Sequence, residues 1–488
     1  MSKVLLDESL ARRGDVPDQG TRLITAHEIR FSEVIAALSV ALDITQGQIR
    51  GHCMRSALIG MRLADEMKLM HHERTALFYA LLLKDLGCSS NAAKMAYLFG
   101  ADDQRVKRSG RLVDWTRTGE TIRHCWRECS PEGSVLEKLL RIAAMAQNGQ
   151  KGAKQIAEVR CERGAQIARM LQLPETTARA IADLDEHWDG RGYPRQLRGN
   201  EISLLGRICC LAQTVEVFFT TYGLNAAMAV AARRRGRWFD PQLVDALDSF
   251  RHEQEFWNRL RSDDLLGELR DWEPQDAMLL ADESCLDRVA EAFALVVDAK
   301  SPWTFQHSHR VAEIAVGVAE QFNCSADMLR DLRRAALLHD IGKLGVSNLI
   351  LDKPGKPTVE EFAQIRKHPD HSLRILEQVK AFDVLADVAS AHHERLDGHG
   401  YHRRLEGTSL PWVARVLAVA DICEAMSARR PYRDAMPWEQ IHEIMSKDVG
   451  CGIDGDCFHA LERWQERHAL PSRVDDQLAA VDRLVAEL

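Results

Sequence analysis

The sequence predicts an all-α protein built from two copies of one helical domain in tandem, joined by a helical connector. Three observations predict it. Val/Ile-rich alternating runs, the mark of half-buried strands, are nearly absent. Stretches such as Arg334–His339 and Asp387–His393 are apolar or alanine-rich, and Pro/Gly clusters punctuate them, as helix ends require. Four short strings also recur in the same order.

Gly51-His52-Cys53-Met54-Arg55 resembles Gln306-His307-Ser308-His309-Arg310, and Tyr79–Gly87 resembles Arg334–Gly342. Asp189-Gly190-Arg191-Gly192-Tyr193 resembles Asp397-Gly398-His399-Gly400-Tyr401, and Arg207–Ala212 resembles Arg415–Ala420. Four ordered matches divide the chain into an N-terminal extension (1–29), a first copy (30–250), a connector (251–284), a second copy (285–475) and a tail (476–488). Between its second and third strings the first copy carries roughly 47 extra residues, placed between Asn91 and Ala157, where the sequence reads as added helices. The connector is charged, Trp-containing and poor in Gly and Ser, hence helical and not a flexible tether.

Composition excludes several classes. The 488 residues exceed one ordinary core, and 45% hydrophobic with 28% charged residues is the balance of a globular protein. A net charge of −8 gives no support for bulk DNA binding. Met1–Gly20 lacks the apolar core of a secretory signal, and no run approaches the ~18 apolar residues of a membrane span. The expectation is a cytoplasmic chain with no membrane partner, whose twelve scattered cysteines are reduced thiols. Cys125 and Cys129 share one helix face without partner ligands nearby.

The second copy concentrates the chemistry. His339-Asp340 closes one apolar helix and His392-His393-Glu394 another, while His307 and His368 stand near helix starts. Asp421 sits inside the apolar run Val413–Met426, where an unpaired carboxylate is costly. Five histidines and two aspartates, with no thiolate, suit Fe, Mn, Ni or Mg better than a structural zinc. An adjacent His-Asp pair lets the carboxylate bridge two metals. Two such ions about 3.5–4 Å apart can share a hydroxide nucleophile for in-line phosphoryl displacement.

At these residues the chain resembles the HD superfamily of metal-dependent phosphohydrolases, and within it the HD-GYP subfamily of cyclic-dinucleotide phosphodiesterases. His392-His393-Glu394-Arg395-Leu396-Asp397-Gly398-His399-Gly400-Tyr401 fits the subfamily's HHExxDGxGY pattern at every fixed position. Around it stand Leu338–Lys343, His368-Pro369 and Arg430-Pro431-Tyr432-Arg433. The resemblance implies metal ligation by His307, His339, Asp340, His368, His392, His393 and Asp421, with Asp340 bridging. It implies that Lys343 contacts the scissile phosphate and that Arg430 and Arg433 clamp the substrate's phosphate or guanine. The implied activity is hydrolysis of c-di-GMP first and 3′,3′-cGAMP second, with Fe or Mn preferred over Ni or Mg. Two rivals share parts of the pattern: a nucleotide phosphohydrolase, and a non-catalytic cyclic-dinucleotide receptor or protein-interaction module.

Two departures qualify the resemblance. His402 replaces the proline of the Gly-Tyr-Pro element, either loosening a partner-docking or lid segment or changing nothing. Trp303 occupies the position where some members place a glutamate ligand for a third metal, so two ions are expected. Asp454 matches a closing Phe-Asp-Pro element, with a structural role expected.

The first copy keeps His52 and Asp85 but has Lys84 for His339, Cys88 for Lys343, Leu184-Asp185 for the His pair, Gln213 for Asp421 and Arg160 for His368. It is therefore expected to bind no catalytic metal. It serves either as a scaffold, open to homodimer formation or a signalling partner, or as a nucleotide-binding regulator.

Overall fold

The computed structural model describes residues 24, 29–274, 281–431 and 433–468. The N-terminal extension, apart from residues 24 and 29, and the tail lie outside the described residues, as does Tyr432. Among the described residues there are helices and no strands; β pairing is limited to isolated bridges. Those bridges repeat between the copies: Asp189–Arg198 matches Asp397–Glu406, and Arg235–Phe239 matches Val449–Ile453. Two compact units result. One comprises Glu28–Cys285 with Ser347–Leu349, and the other takes in Leu286–Val346 and the chain from Ile350 on.

In the first unit, helices Phe31–Thr45, His52–Glu66, His71–Leu83, Glu175–Asp183 and Leu204–Tyr222 form the core. Helix Leu204–Tyr222 starts where the Ser203 side chain accepts from Gly206 N, satisfying one of the orphan donors of a first turn. It is long and apolar enough to cross a membrane by composition, yet 78% of its most apolar window is buried inside the unit. It is a core helix.

The extra segment forms helices Ala92–Phe99, Asp103–Gly110 and Thr118–Glu128, followed by the first half of Val135–Met170, whose helical path breaks at Gly149 (φ 29°). Phe99, Val106, Cys125 and Cys129 make a small core of their own, packed by Met95, Leu98, Ile142 and Met145. The two cysteines are apolar packing. Burial pushes the Cys129 thiol up to about 11.

The described part of the connector packs on the first unit. Helices Gln254–Arg259 and Leu265–Arg270 bury Trp257, Leu260 and Leu269. Trp257 stacks on Phe250 at 5.8 Å, and Arg62–Glu253 (2.7 Å) and Arg270–Glu33 (3.0 Å) tie the segment down.

In the second unit, helix Trp412–Ser427 is buried on most of its sides among His307–Glu320, Asp383–Ser390 and Gly455–Arg467. Asp454 N-caps the last of these, accepting from Cys457 N at 3.0 Å and from Arg415 at 3.0 Å. Asp240 repeats this in the first copy, capping Pro241–Ser249 and pairing with Arg207 at 2.5 Å. Asp454 therefore has the structural role expected of it.

Candidate metal centre

The predicted ligands stand at helix ends because the apolar helices that carry them converge there. His339 directly follows Ala326–Leu338, His368 opens His368–Leu376, and His392 follows Asp383–Ser390 within two residues. Each of these imidazoles turns Nδ1 onto a carbonyl three residues back: Ala336 (2.6 Å), Ile365 (2.8 Å) and Ala389 (2.6 Å). A carbonyl only accepts, so Nδ1 carries the proton and the Nε2 lone pair points inward. Gly342 lets the turn after Asp340 lie against the next helix, since a Cβ there would sit 2.0 Å from the His368 carbonyl oxygen. Ser372 Oγ then accepts from Gly342 N (2.9 Å) and donates to His339 O (2.7 Å).

All seven predicted ligands meet in one cluster. Asp340 Oδ2 lies 3.2 Å from His307 Nε2 and 3.4 Å from His339 Nε2. Its other oxygen lies 3.3 Å from His368 Nε2 and 3.8 Å from His392 Nε2. Asp421 Oδ1 is 3.4 Å from His307, and its Oδ2 is 3.8 Å from His393. A third group, His339–Asp340–His392, links two non-overlapping triads, His307–His339–Asp421 and His368–His392–His393, and the ligand atoms of each group lie within 4.8 Å of one another. Asp340 stands between the two triads with one oxygen toward each.

The donor set fits divalent cations. His307 Nε2, His339 Nε2 and Asp340 Oδ1 are buried without a hydrogen-bond partner, a costly state for polar atoms. The Nε2 atoms of His368 and His392 face each other at 3.0 Å, two lone pairs with no proton between them when Nδ1 carries it. A cation resolves both problems at once.

Electrostatics divide the cluster. Burial, reinforced by the neighbouring imidazoles, holds His392 well below its usual range, and burial takes His393 down to about 3 despite Asp421. Both are neutral, the form that ligates. Burial also disfavours charge on His339, but Asp340 and Asp421 outweigh it and push it up to about 9. Glu424 and both aspartates likewise hold His307 well above its ordinary value. Binding of cations there would release protons.

A second layer of residues escaped the sequence reading. Glu424 lies three residues after Asp421 on the same helix, and its buried carboxylate accepts from His307 Nδ1 and from Arg310 Nε (2.7 Å). This carboxylate–histidine pair fixes His307 Nε2 toward the cluster. Arg430 reaches Glu424 at 3.5 Å and the Trp303 carbonyl at 3.3 Å, so it joins the cluster through Glu424. Arg433 does not join it; its guanidinium donates to the Ala425 and Ala428 carbonyls at the end of helix Trp412–Ser427. Lys343 donates to Asp340 Oδ2 from the partly open edge of the cluster. Trp303, at the position of the third-metal glutamate, offers an indole crossed by Arg429 at 5.9 Å.

A family model described as "HD domain" matches residues 141–243 and 291–457, more than half of the chain. The chain belongs to the HD-domain family. A 3′,3′-cGAMP-specific phosphodiesterase 3 of Vibrio cholerae is 41% identical over 434 residues, covering 89% of this chain and 94% of that protein. Shorter matches, each under half of the relative, are phosphodiesterase 1 of the same kind from V. cholerae (39% over 181 residues, 37% of this chain and 42% of that protein) and a cyclic di-GMP phosphodiesterase of Thermotoga maritima (36% over 160 residues, 32% and 44%). Among solved structures, a cyclic GMP-AMP-specific phosphodiesterase of V. cholerae superposes with TM-score 0.63 at 36% identity, over 91% of this chain and 99% of that one.

The first HD copy reproduces the framework with cations in place of ligands. His52 Nδ1 meets Glu216, and Arg55 Nε donates to Glu216 at 2.6 Å, as His307 and Arg310 do with Glu424. Lys84 Nζ pairs with Asp85 and lies 2.8 Å from His52 Nε2, the nitrogen that would ligate. Arg111 bonds Asp85 (2.9 Å) and Gln213 (2.9 Å), and Arg160 pairs with Asp185 at 2.6 Å. Gly87 approaches the Arg160 carbonyl as Gly342 approaches that of His368, which places Arg160 in register with His368. Arg111 comes from the inserted helices and had no counterpart in the repeat, so the repeat could not reveal it.

The Gly-Tyr-x loop is also duplicated. Glu394 accepts from Arg403 N and Leu405 N, both at 3.0 Å, as Glu186 does from Arg195 N (2.6 Å) and Leu197 N (3.0 Å). His402 stands beside Glu394 at 3.6 Å where the first copy has Pro194. The glutamate anchors the loop in both.

Proposed function

We propose that the chain is a metal-dependent phosphodiesterase that opens the ring of a cyclic dinucleotide at the second-copy cluster. The observation that carries this reading is the pair of triads with Asp340 between them, in a chain matched along most of its length by a cGAMP-specific phosphodiesterase. Because of that relative we place 3′,3′-cGAMP ahead of c-di-GMP, reversing the order expected from sequence.

The residues divide the work. The triads would hold two divalent ions, Fe or Mn before Ni or Mg, one in each triad with Asp340 between. When bound, such ions supply Lewis-acid polarisation of the phosphodiester and activation of water. Lys343, at the open edge, sets a cationic head where charge builds on the non-bridging oxygens. Glu424 holds His307 in its ligating tautomer and orients Arg430 toward the cluster's edge. The buried helix ends exclude bulk water and strengthen each of these interactions.

The first copy, on this reading, is a scaffold in which Lys84, Arg111 and Arg160 stand in for metal charge around Asp85 and Asp185. A homodimer through this copy is supported by Leu136, Leu139 and Leu140, exposed on helix Val135–Met170, and by Ile122 and Trp126, exposed on helix Thr118–Glu128. Sedimentation at the monomer mass across micromolar concentrations would remove the dimer. Twelve free thiols suit the cytoplasm.

The functional reading is tested by turnover of the Mn²⁺- or Fe²⁺-loaded chain on 3′,3′-cGAMP, c-di-GMP and mononucleotides. Ring opening of a cyclic dinucleotide is expected. Hydrolysis of mononucleotides alone would make it a nucleotide phosphohydrolase, and binding without turnover a receptor.

A further inference from the structure

Beside the second triad lies a cleft of about 190 Å³ whose lining begins at His392 and His393. Leu396, Leu410, Ala418 and Ile422 give it apolar walls, while its charged edges include the cations Arg395 and Arg415 and the anions Glu394 and Asp454. A cavity of about 150 Å³ already holds benzene. This cleft therefore has room for one fused-ring heterocycle, not for a whole cyclic dinucleotide.

Gly452 lines the cleft and packs against Arg395. A Cβ at that position would sit 2.3 Å from the Arg395 guanidinium. That guanidinium cannot swing aside, since Asp397 (2.6 Å) and Asp448 (2.7 Å) both hold it.

The first copy shows the same frame with the space filled. Leu396 N donates to Gly452 O at 3.3 Å, and Trp188 N donates to Trp238 O at 3.0 Å, which puts Trp238 in register with Gly452. There Trp238 stacks on His187, the counterpart of Arg395, at 4.0 Å, and Arg234 covers the indole at 3.9 Å. Cys210 stands for Ala418 and Trp188 for Leu396. The copy without metal ligands has an aromatic ring where the copy with them has a slot.

We infer that this slot receives one purine base of the substrate while the phosphodiester faces the histidine–aspartate cluster, and that Gly452 is a specificity-determining position. The inference rests on the cyclic-dinucleotide reading. Aliphatic walls pack the faces of a planar base, with the Tyr401 ring, which also lines the slot, beside His393 at 4.4 Å.

The test separates base binding from turnover. Manganese-loaded full chain is titrated calorimetrically with GMP, AMP and inorganic phosphate, for the native protein, Gly452→Trp and Ile422→Trp. Ile422→Trp fills the slot from a different lining residue and leaves the Gly452 backbone untouched. The native chain is expected to bind a purine mononucleotide more tightly than phosphate. Both variants should lose that advantage at least tenfold, with phosphate affinity and metal content unchanged. A native chain with no preference for nucleotide over phosphate overturns the inference, as does an undiminished preference in folded, metal-loaded Ile422→Trp. Failure of the functional reading appears elsewhere, as a native chain that binds purine but turns over no cyclic dinucleotide.

Discussion

Replacing Glu424 by glutamine removes a charge from behind the metal cluster and keeps the side chain's size. In the native chain that carboxylate meets His307 Nδ1, accepts from Arg310 at 2.7 Å and faces Arg430 at 3.5 Å. Loss of such a partner typically lowers metal affinity 10–100-fold, about 1.4–2.7 kcal/mol. The amide keeps an oxygen for Arg310, so Glu424→Gln belongs near the tenfold end. Glu424→Ala strands two guanidiniums and belongs near the hundredfold end. The protein carries its own control, because Glu216 makes the same contacts to His52 and Arg55 where no metal is expected. Mn²⁺ titration of the full chain against a fluorescent chelator measures the affinity, and circular dichroism checks the fold. Unchanged affinity in folded Glu424→Gln, or an equal loss in Glu216→Gln, would refute the reasoning.

Other outcomes follow from the same geometry. Lys84→Met leaves buried Asp85 with Arg111 at 2.9 Å and Arg160 at 3.8 Å as its remaining guanidinium partners, so stability should fall by about 3 kcal/mol, the low end for a broken buried pair; a loss under about 1 kcal/mol in urea denaturation would contradict the ion-pair account. Burial raises the Glu216 pKa, but His52 and Arg55 outweigh it and bring it down to about 2 from an ordinary 4.5. A depressed folded pKa contributes stability above the unfolded value. The deficit of Glu216→Gln should therefore be constant above pH 5 and shrink as pH falls from 4.5 toward 2; a deficit independent of pH over that window would mean Glu216 is not charged in the fold. Elemental analysis of the reconstituted full chain should give about two ions. Four would mean that the first copy loads as well, and three that another side chain replaces the carboxylate absent at Trp303.

The cluster was legible because its ligands are chemically conspicuous. Histidines and aspartates that end or interrupt apolar helices need a reason to be there; His392-His393-Glu394 and Asp421 suffice to show it. Glu424 was hidden because one more charge on a helix looks solvated, and its contact with His307 spans 117 positions. Comparing Gln213-x-x-Glu216 with Asp421-x-x-Glu424 would have exposed it, since the glutamate persists where the ligand is lost. Arg430 and Arg433 read alike in sequence, and only packing separates them: one faces a carboxylate, the other caps a helix end. The connector's boundary followed composition, whereas burial of Trp257 makes its first helices part of the first unit.

The central claim is that hydrolysis occurs at the second-copy cluster and not at its degenerate twin. Cyclic-dinucleotide turnover by Asp340→Asn and by Asp85→Asn, compared with the native full chain at equal protein and manganese, tests it most directly. Asp340→Asn should lose at least about 100-fold in kcat, the scale of removing one preorganised charge from a phosphoryl-transfer site, and Asp85→Asn should stay within about threefold if folded. Near-native turnover by a folded Asp340→Asn chain, or an equal collapse in a folded Asp85→Asn chain, would contradict the account.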